Sequence, residues 1–391
     1  MNEIKVVGIV GAGAMGSGIA QVAALAGHIV ILVDPFKDAL NKAKEQIHRT
    51  LRKQVEKGAY DQQKSDSISA NISFTDDINH LKDCGLIIEA IIEDLGVKQK
   101  LFSDLEKIVS DNCILGTNTS SLSIVSIASA CRKPERVIGI HFFNPAQIMP
   151  LVEIIPGLTT NENTAIITKN LIDTWGKKTV LAKDTPGFIV NRIARPYYGE
   201  AIRIYEEGEH SFATIDWAMK TIGGFKMGPF ELMDFIGNDI NYKVTETIFE
   251  QLFYDPRYKP SITQKRLYEA KRFGKKSGRG YYDYAEGAIN PQPVNDYYIA
   301  NQKIFTRIIV MLVNEAAEAL FLKIATKEDI DLAMTKGVNY PKGLLQWADE
   351  LGIGYVLNVL EKLHFDYGDD RYRPSILLRK MHNQSKFFYP E

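Results

Sequence analysis

The sequence predicts a doubly wound α/β domain followed by two all-α domains, and three observations predict it. Short apolar runs alternate with helix-compatible segments through the first half. A glycine-rich turn closes the first of those runs, and a helical pattern repeats itself through the second half. At 391 residues the chain exceeds one ordinary core, and the breaks in pattern place boundaries near 184 and 291. The domains expected are therefore 1–183, 184–290 and 291–391.

The apolar runs are Val6–Val10, Ile29–Val33, Leu86–Ile88, Cys113–Leu115 and Val137–Ile140. Near-continuous apolar stretches of this length read as strands buried on both faces of a parallel sheet. Helix-compatible segments such as Ala14–Ala26 and Val97–Val109 lie between them, which is the alternation of a doubly wound sheet. After Lys183-Asp184-Thr185-Pro186-Gly187 the pattern turns helical, over Phe188–Glu207, Thr214–Thr221 and Phe230–Phe253. Gly223-Gly224, Gly228-Pro229 and Asp255-Pro256 punctuate it, and a Gly/Asn/Pro-rich break spans 286–294.

Displaced by 115 positions, the last block lays Arg307 on Arg192, Glu315 on Glu200, Asp331 on Asp216 and Gly343 on Gly228. A displacement of 114 aligns Asp369-Asp370-Arg371-Tyr372 with Asp255-Pro256-Arg257-Tyr258. Identities in register over such a span imply duplication of a helical domain.

Forty-seven basic and 48 acidic side chains leave a formal charge of −1, which argues against whole-molecule attraction to nucleic acid. Cys84, Cys113 and Cys131 form no C-x-x-C pattern, so neither a disulfide framework nor a metal site is expected. No secretory signal is visible, and no apolar stretch nears the roughly 20 residues that span a bilayer. A cytoplasmic protein with no membrane partner is expected.

Gly11-Ala12-Gly13-Ala14-Met15-Gly16 follows a strand and opens a helix, the context a dinucleotide fingerprint requires. Gly11 permits the tight turn, Gly13 close approach to a pyrophosphate, and Gly16 close packing of helix on strand. Asp34 ends the second strand, where a carboxylate accepts from ribose hydroxyls and repels a 2′-phosphate. The cofactor expected is NAD in a Rossmann domain. A proton acceptor suited to neutral pH is His141, at the carboxyl end of a predicted strand. Glu153, in the apolar run Leu151–Ile155, would be a costly unpaired charge without a partner, and the imidazole is the partner expected.

Thr117-Asn118-Thr119-Ser120-Ser121-Leu122, Gly139-Ile140-His141-Phe142-Phe143-Asn144-Pro145 and Asp184-Thr185-Pro186-Gly187-Phe188-Ile189-Val190-Asn191-Arg192 join the fingerprint in this order. With Glu89–Glu93, Gly228–Leu232 and Phe273–Tyr282, they closely resemble the 3-hydroxyacyl-CoA dehydrogenase family over about residues 4–284. The resemblance implies helical domains of the 6-phosphogluconate dehydrogenase C-terminal type. It also implies reversible oxidation of short-chain L-3-hydroxyacyl-CoA, as in fatty-acid breakdown. His141 would be the base and Glu153 its partner, with Ser120 and Asn191 on the substrate oxygens. Glu93 and Lys98 would lie near the nicotinamide and its ribose.

On 41–57, Ala43, Ile47, Leu51 and Val55 form an apolar stripe, and Lys42, Arg49, Lys53 and Lys57 share another face. That face suits coenzyme A phosphates, though a solvated charged face is the plain alternative. Thr50 and Lys57 match family positions that touch the coenzyme. Two departures stand out: Pro150 replaces a frequent lysine, and Thr306 stands where Asn191 does in the first copy. The second copy is expected to be structural, packing on the first as an internal pseudo-dimer in place of the dimer that single-copy relatives form; a homodimer is the alternative.

Overall fold

The computed structural model describes residues 4–294 and 298–390. The chain divides into two compact units, 1–188 and 189–391. In the first, β1 (Val6–Val10), α1 (Ala14–Leu25), β2 (Ile29–Val33), α2 (Lys37–Glu56), α3 (Gln62–Ala70) and β3 (Ile72–Thr75) form one half. β4 (Leu86–Glu89), α4 (Leu95–Ile108), β5 (Ile114–Thr117), α5 (Ile124–Ala128), β6 (Val137–Phe142), β7 (Leu151–Pro156), α6 (Glu162–Thr174) and β8 (Lys178–Leu181) complete it.

The strand order is β3-β2-β1-β4-β5-β6-β7-β8. All neighbours run parallel except β6 and β7. The order reverses between β1 and β4, so a crevice opens there beyond the carboxyl ends of the strands, where such sheets bind ligands. Most runs read as buried strands are buried: Val7, Ile9, Leu86, Ile87, Ile88 and Ile138 have no exposed surface, whereas β2 leaves Ile29 exposed at its start. β3 and β8 escaped the sequence reading because they close the two edges of the sheet. Ile72-Ser73-Phe74-Thr75 and Lys178-Thr179-Val180-Leu181 mix polar with apolar residues, as a strand covered less completely does.

The second unit is helical. α7 (Val190–Ile193), α8 (Arg195–Glu206), α9 (Phe212–Thr221), α10 (Pro229–Ile236), α11 (Asn238–Gln251) and α12 (Ile262–Glu269) form the first copy. α13 (Tyr298–Phe321), α14 (Lys327–Gly337), α15 (Leu344–Leu351), α16 (Ile353–Tyr367) and α17 (Ile376–Asn383) form the second. Two runs read as single helices are each a pair. Phe188–Glu207 breaks at Ala194, ahead of Pro196, which has no N–H to continue the ladder. The second copy carries Met311 at that position, and α13 runs unbroken. Phe230–Phe253 breaks at Gly237, whose φ of +108° turns the chain; Gly352, at +87°, does the same between α15 and α16.

The copies share their capping chemistry. Asp216 accepts from the amides of Phe230 and Glu231 at 2.9 and 3.0 Å. Asp331 accepts from those of Leu345 and Gln346 at the same distances. They also pack against each other reciprocally. Arg192 Nε meets Glu315 Oε1 at 2.7 Å, and Arg307 Nε meets Glu200 Oε1 at 2.5 Å. The hydroxyl of Tyr258 bonds Glu315, and that of Tyr372 bonds Glu200. Each contact recurs with the copies exchanged, which is the signature of an isologous interface inside one chain. Among the described residues no helix is long and apolar enough to cross a membrane.

Candidate active site

The glycine turn ends β1 and begins α1. Gly11 has φ +106°, and a Cβ there would lie 2.6 Å from the Ala90 carbonyl oxygen. A Cβ on Gly16 would lie 1.8 Å from the Gly11 oxygen, so helix and turn meet only through hydrogen. Gly13 faces open space, with nothing within 4 Å of its Cβ position. No side chain caps α1, so its first amides and dipole are available to phosphate. Asp34 Oδ2 accepts from Ala12 N at 2.8 Å, and Oδ1 from Phe36 N at 3.0 Å. The carboxylate thereby ties the end of β2 to the glycine turn. Met15 packs half-buried against the sheet core. These residues fit a dinucleotide: a bare helix start, a turn where a Cβ would collide with backbone, and an acid at the end of β2.

Antiparallel pairing sets His141 directly opposite Glu153. His141 Nδ1 lies 2.7 Å from Glu153 Oε2. Glu153 is fully buried and His141 only 5% exposed. The Phe143 ring tilts against the imidazole at 4.5 Å, and that of Phe188 at 5.9 Å. When Nδ1–H donates to the carboxylate, Nε2 carries the free lone pair and can take a proton; the carboxylate then stabilises the imidazolium.

A second polar cluster sits at the carboxyl ends of β4 and β5, where Glu89 pairs with Thr117 in register. Buried Lys98 donates to Glu89 Oε1 at 2.6 Å and lies 3.1 Å from Glu93 Oε2. Glu89 also accepts from Thr117 Oγ1 and Ile91 N. Glu93 Oε1 gathers the Thr119 hydroxyl at 2.5 Å, the Ser121 hydroxyl at 3.0 Å and the Ser120 amide at 3.1 Å. Burial pushes the Glu93 carboxyl up, but the Lys98 ammonium and the two hydroxyls outweigh it, and its pKa falls below the usual value. Asn118 Oδ1 accepts from Phe142 N at 2.8 Å, tying this turn to the strand that carries His141.

Residues 6–185 match the NAD binding domain of 3-hydroxyacyl-CoA dehydrogenase, and 187–284 with 304–388 match its C-terminal domain. The chain belongs to the 3-hydroxyacyl-CoA dehydrogenase family. The 3-hydroxyadipyl-CoA dehydrogenase of Escherichia coli K12 is 36% identical across 97% of this chain and 98% of its own length. Mitochondrial hydroxyacyl-coenzyme A dehydrogenase of Sus scrofa is 42% identical across 72% and 91%. The crystal structure of 3-hydroxybutyryl-CoA dehydrogenase from E. coli K12 superposes with a TM-score of 0.93 at 35% identity, covering 98% of this chain and 99% of that one. The protein is an NAD-dependent 3-hydroxyacyl-CoA dehydrogenase with a duplicated C-terminal domain.

Not every anticipated residue of this dehydrogenase gathers at one point. Ser120 shares a cluster with Glu93 and Lys98, and His141 with Glu153. Ser120 caps no helix; the N-cap of α5 is Ser123. Lys98 is not the surface residue its type suggests. Asn191 lies half-buried in α7, in the other unit, its carbonyl accepting from Arg195 Nε at 2.8 Å. Thr50 and Lys57 lie on α2 and at its end, and the Thr50 hydroxyl bonds the Gln46 carbonyl of its own helix. Ala43, Ile47 and Leu51 are buried as the stripe requires, while Lys42, Arg49, Lys53 and Lys57 are exposed. Glu89, Asn118 and Thr119 stand in the motifs quoted from the sequence, which gave none of them a role of its own. The signal for Glu89 was present: a carboxylate ending the apolar run Leu86-Ile87-Ile88.

Proposed function

We propose that this dehydrogenase reversibly oxidises L-3-hydroxyacyl-CoA to 3-ketoacyl-CoA, with His141 as general base and Glu153 as its orienting partner. Bound NAD⁺ supplies the acceptor for the hydride that leaves C3. Imidazole Nε2 takes the hydroxyl proton as the C3–O bond becomes a carbonyl, and Glu153 holds Nδ1–H and balances the imidazolium. The observation that carries this reading is the buried 2.7 Å pair of His141 and Glu153 on facing strands.

The remaining roles follow the family motif. Ser120 and Asn191 bind the substrate oxygens. Gly11, Gly13, Met15, Gly16 and Asp34 hold the dinucleotide, and Glu93 and Lys98 its nicotinamide end. Thr50 and Lys57 face the coenzyme A. Residues 184–290 and 291–391 are the two helical domains, of which only the first carries the asparagine.

Short acyl groups are the substrates proposed, 3-hydroxybutyryl-CoA first. A dicarboxylic acyl group is the second reading, favoured by the name of the full-length E. coli relative at 36% identity. NADH formation with 3-hydroxybutyryl-CoA, longer homologues, 3-hydroxyadipyl-CoA and free 3-hydroxybutyrate decides. Turnover of the thioesters and not of the free acid is expected, and kcat/KM ranks the two readings. Preference for the free acid would overturn the assignment.

A further inference from the structure

Lys177 immediately precedes β8 and is only 7% exposed. Its ammonium donates to the main-chain carbonyls of Ala146 at 2.5 Å and Met149 at 2.9 Å. Both belong to the connection between β6, which carries His141, and β7, which carries Glu153. We propose that Lys177 is a positioning residue for the catalytic pair: it anchors that connection and so holds the strand register in which imidazole and carboxylate face each other. This inference rests on the assignment of His141 as base.

Register matters because side chains alternate faces along a strand. A slip of one residue would set Glu153 on the opposite face of the sheet from His141. In a two-residue hairpin the turn itself imposes register, but here the connection runs from Phe143 to Pro150. A connection of that length leaves register to the strand ladder and to ties from outside it. Within it, the amides of Ile148 and Met149 both donate to the Pro145 carbonyl, forming one helical turn. The carbonyls of such a turn point out unpaired, and a cation is the partner that suits them.

Lys177 is well placed for this. The chain ahead of it turns at Gly176, φ +75°, and Lys178 N then bonds the Pro150 carbonyl at 2.8 Å as β8 begins beside β7. On its other side the connection rests on α1. A Cβ at Gly18 would lie 2.9 Å from Gln147 Oε1, and Gln147 Nε2 donates to Gln21. The connection is thus held between the Lys177 ammonium and the helix that opens the nucleotide site. Phe143, at its start, lies against the His141 ring. Burial alone lowers the Lys177 pKa to about 8. A charge kept at that cost, and held by two carbonyls, is expensive packing for a mere space-filler.

Lys177→Met keeps the stem and removes the donors. With saturating NAD⁺ and 3-hydroxybutyryl-CoA, kcat should fall ten- to a hundredfold, as small misplacements of reacting groups do. KM for NAD⁺ should stay within about twofold, and the primary isotope effect with 3-deuterated substrate should rise as hydride transfer becomes limiting. Lys177→Arg, which keeps a cation and donors, should recover most of kcat. A purely structural role would lower the melting temperature or the active fraction without raising the isotope effect, and that result overturns the proposal. So does wild-type kcat in Lys177→Met. Should that variant fail to fold, Lys177→Gln, able to reach one carbonyl, is read by the same criteria. A fully active His141→Gln enzyme would instead remove the base assignment beneath it, so the two failures are separable.

Discussion

Lys98 carries a positive charge into a place with almost no water, and it can do so because two carboxylates meet it there. Replacing it by methionine would leave Glu89 with the Thr117 hydroxyl and one amide as compensation for a fully buried charge. Breaking one side of such a pair costs about 3–5 kcal/mol. Urea unfolding of Lys98→Met should show a loss of that order, and a change below about 1 kcal/mol would contradict the role given to the network. The same variant frees Glu93, whose lowered pKa depends on Lys98. Stability from Glu93 is present above the ordinary carboxylate range and lost as acid reaches its folded pKa, so the acid limb of unfolding should move to higher pH. Glu153 was legible in the sequence because an acid in an apolar strand demands a partner. Glu89 satisfies the same argument. What the sequence withheld was the identity of the partner, since Lys98 reaches Glu89 from a helix whose exposed and buried faces are set only by tertiary packing.

Helices and strands that lie in the core were readable in advance, and those at edges or breaks were not. The runs forming β1, β4, β5 and β6 are apolar because both faces are covered; β3 and β8 are mixed because they end the sheet. Joined helices read as one because their periodicity continues through Ala194 and Gly237, and only backbone geometry divides them. Asp216 shows how such a break is held. It is 1% exposed and caps α10. Burial, against the bonds from Tyr282 and Phe230, raises its pKa to about 7. A raised acid stabilises most below its unfolded pKa, and that stability drains away as pH rises through the folded one. The advantage of wild type over Asp216→Asn should therefore be larger at pH 5 than at pH 8, changing by about 1.4 kcal/mol per pH unit up to the folded pKa. Denaturant unfolding at both pH values checks this, and a difference independent of pH contradicts it.

In the whole chain, the repeat joins two like surfaces that separate chains would otherwise have to supply. The displacement of 115 showed which residues are equivalent. It could not show that equivalents cross over, Arg192 to Glu315 and Arg307 to Glu200, because register carries no information about contact across a pseudo-axis. With that face occupied internally, the intact chain is proposed to sediment as a 44.0 kDa monomer. A dimer dissociated by Arg307→Met would refute the proposal. In the monomer that substitution should instead destabilise the helical unit by about 3–5 kcal/mol, since Glu200 and Glu207 both lose their cation.

All of these scales serve the event proposed, the loss of the C3 hydroxyl proton to His141 as a 3-hydroxyacyl-CoA is oxidised. The direct test is single-turnover NADH formation by His141→Gln with saturating NAD⁺ and 3-hydroxybutyryl-CoA, alongside NAD⁺ binding. The rate should fall by about 10²–10⁴-fold, with NAD⁺ affinity changed less than about twofold. Turnover at the wild-type rate would contradict the account.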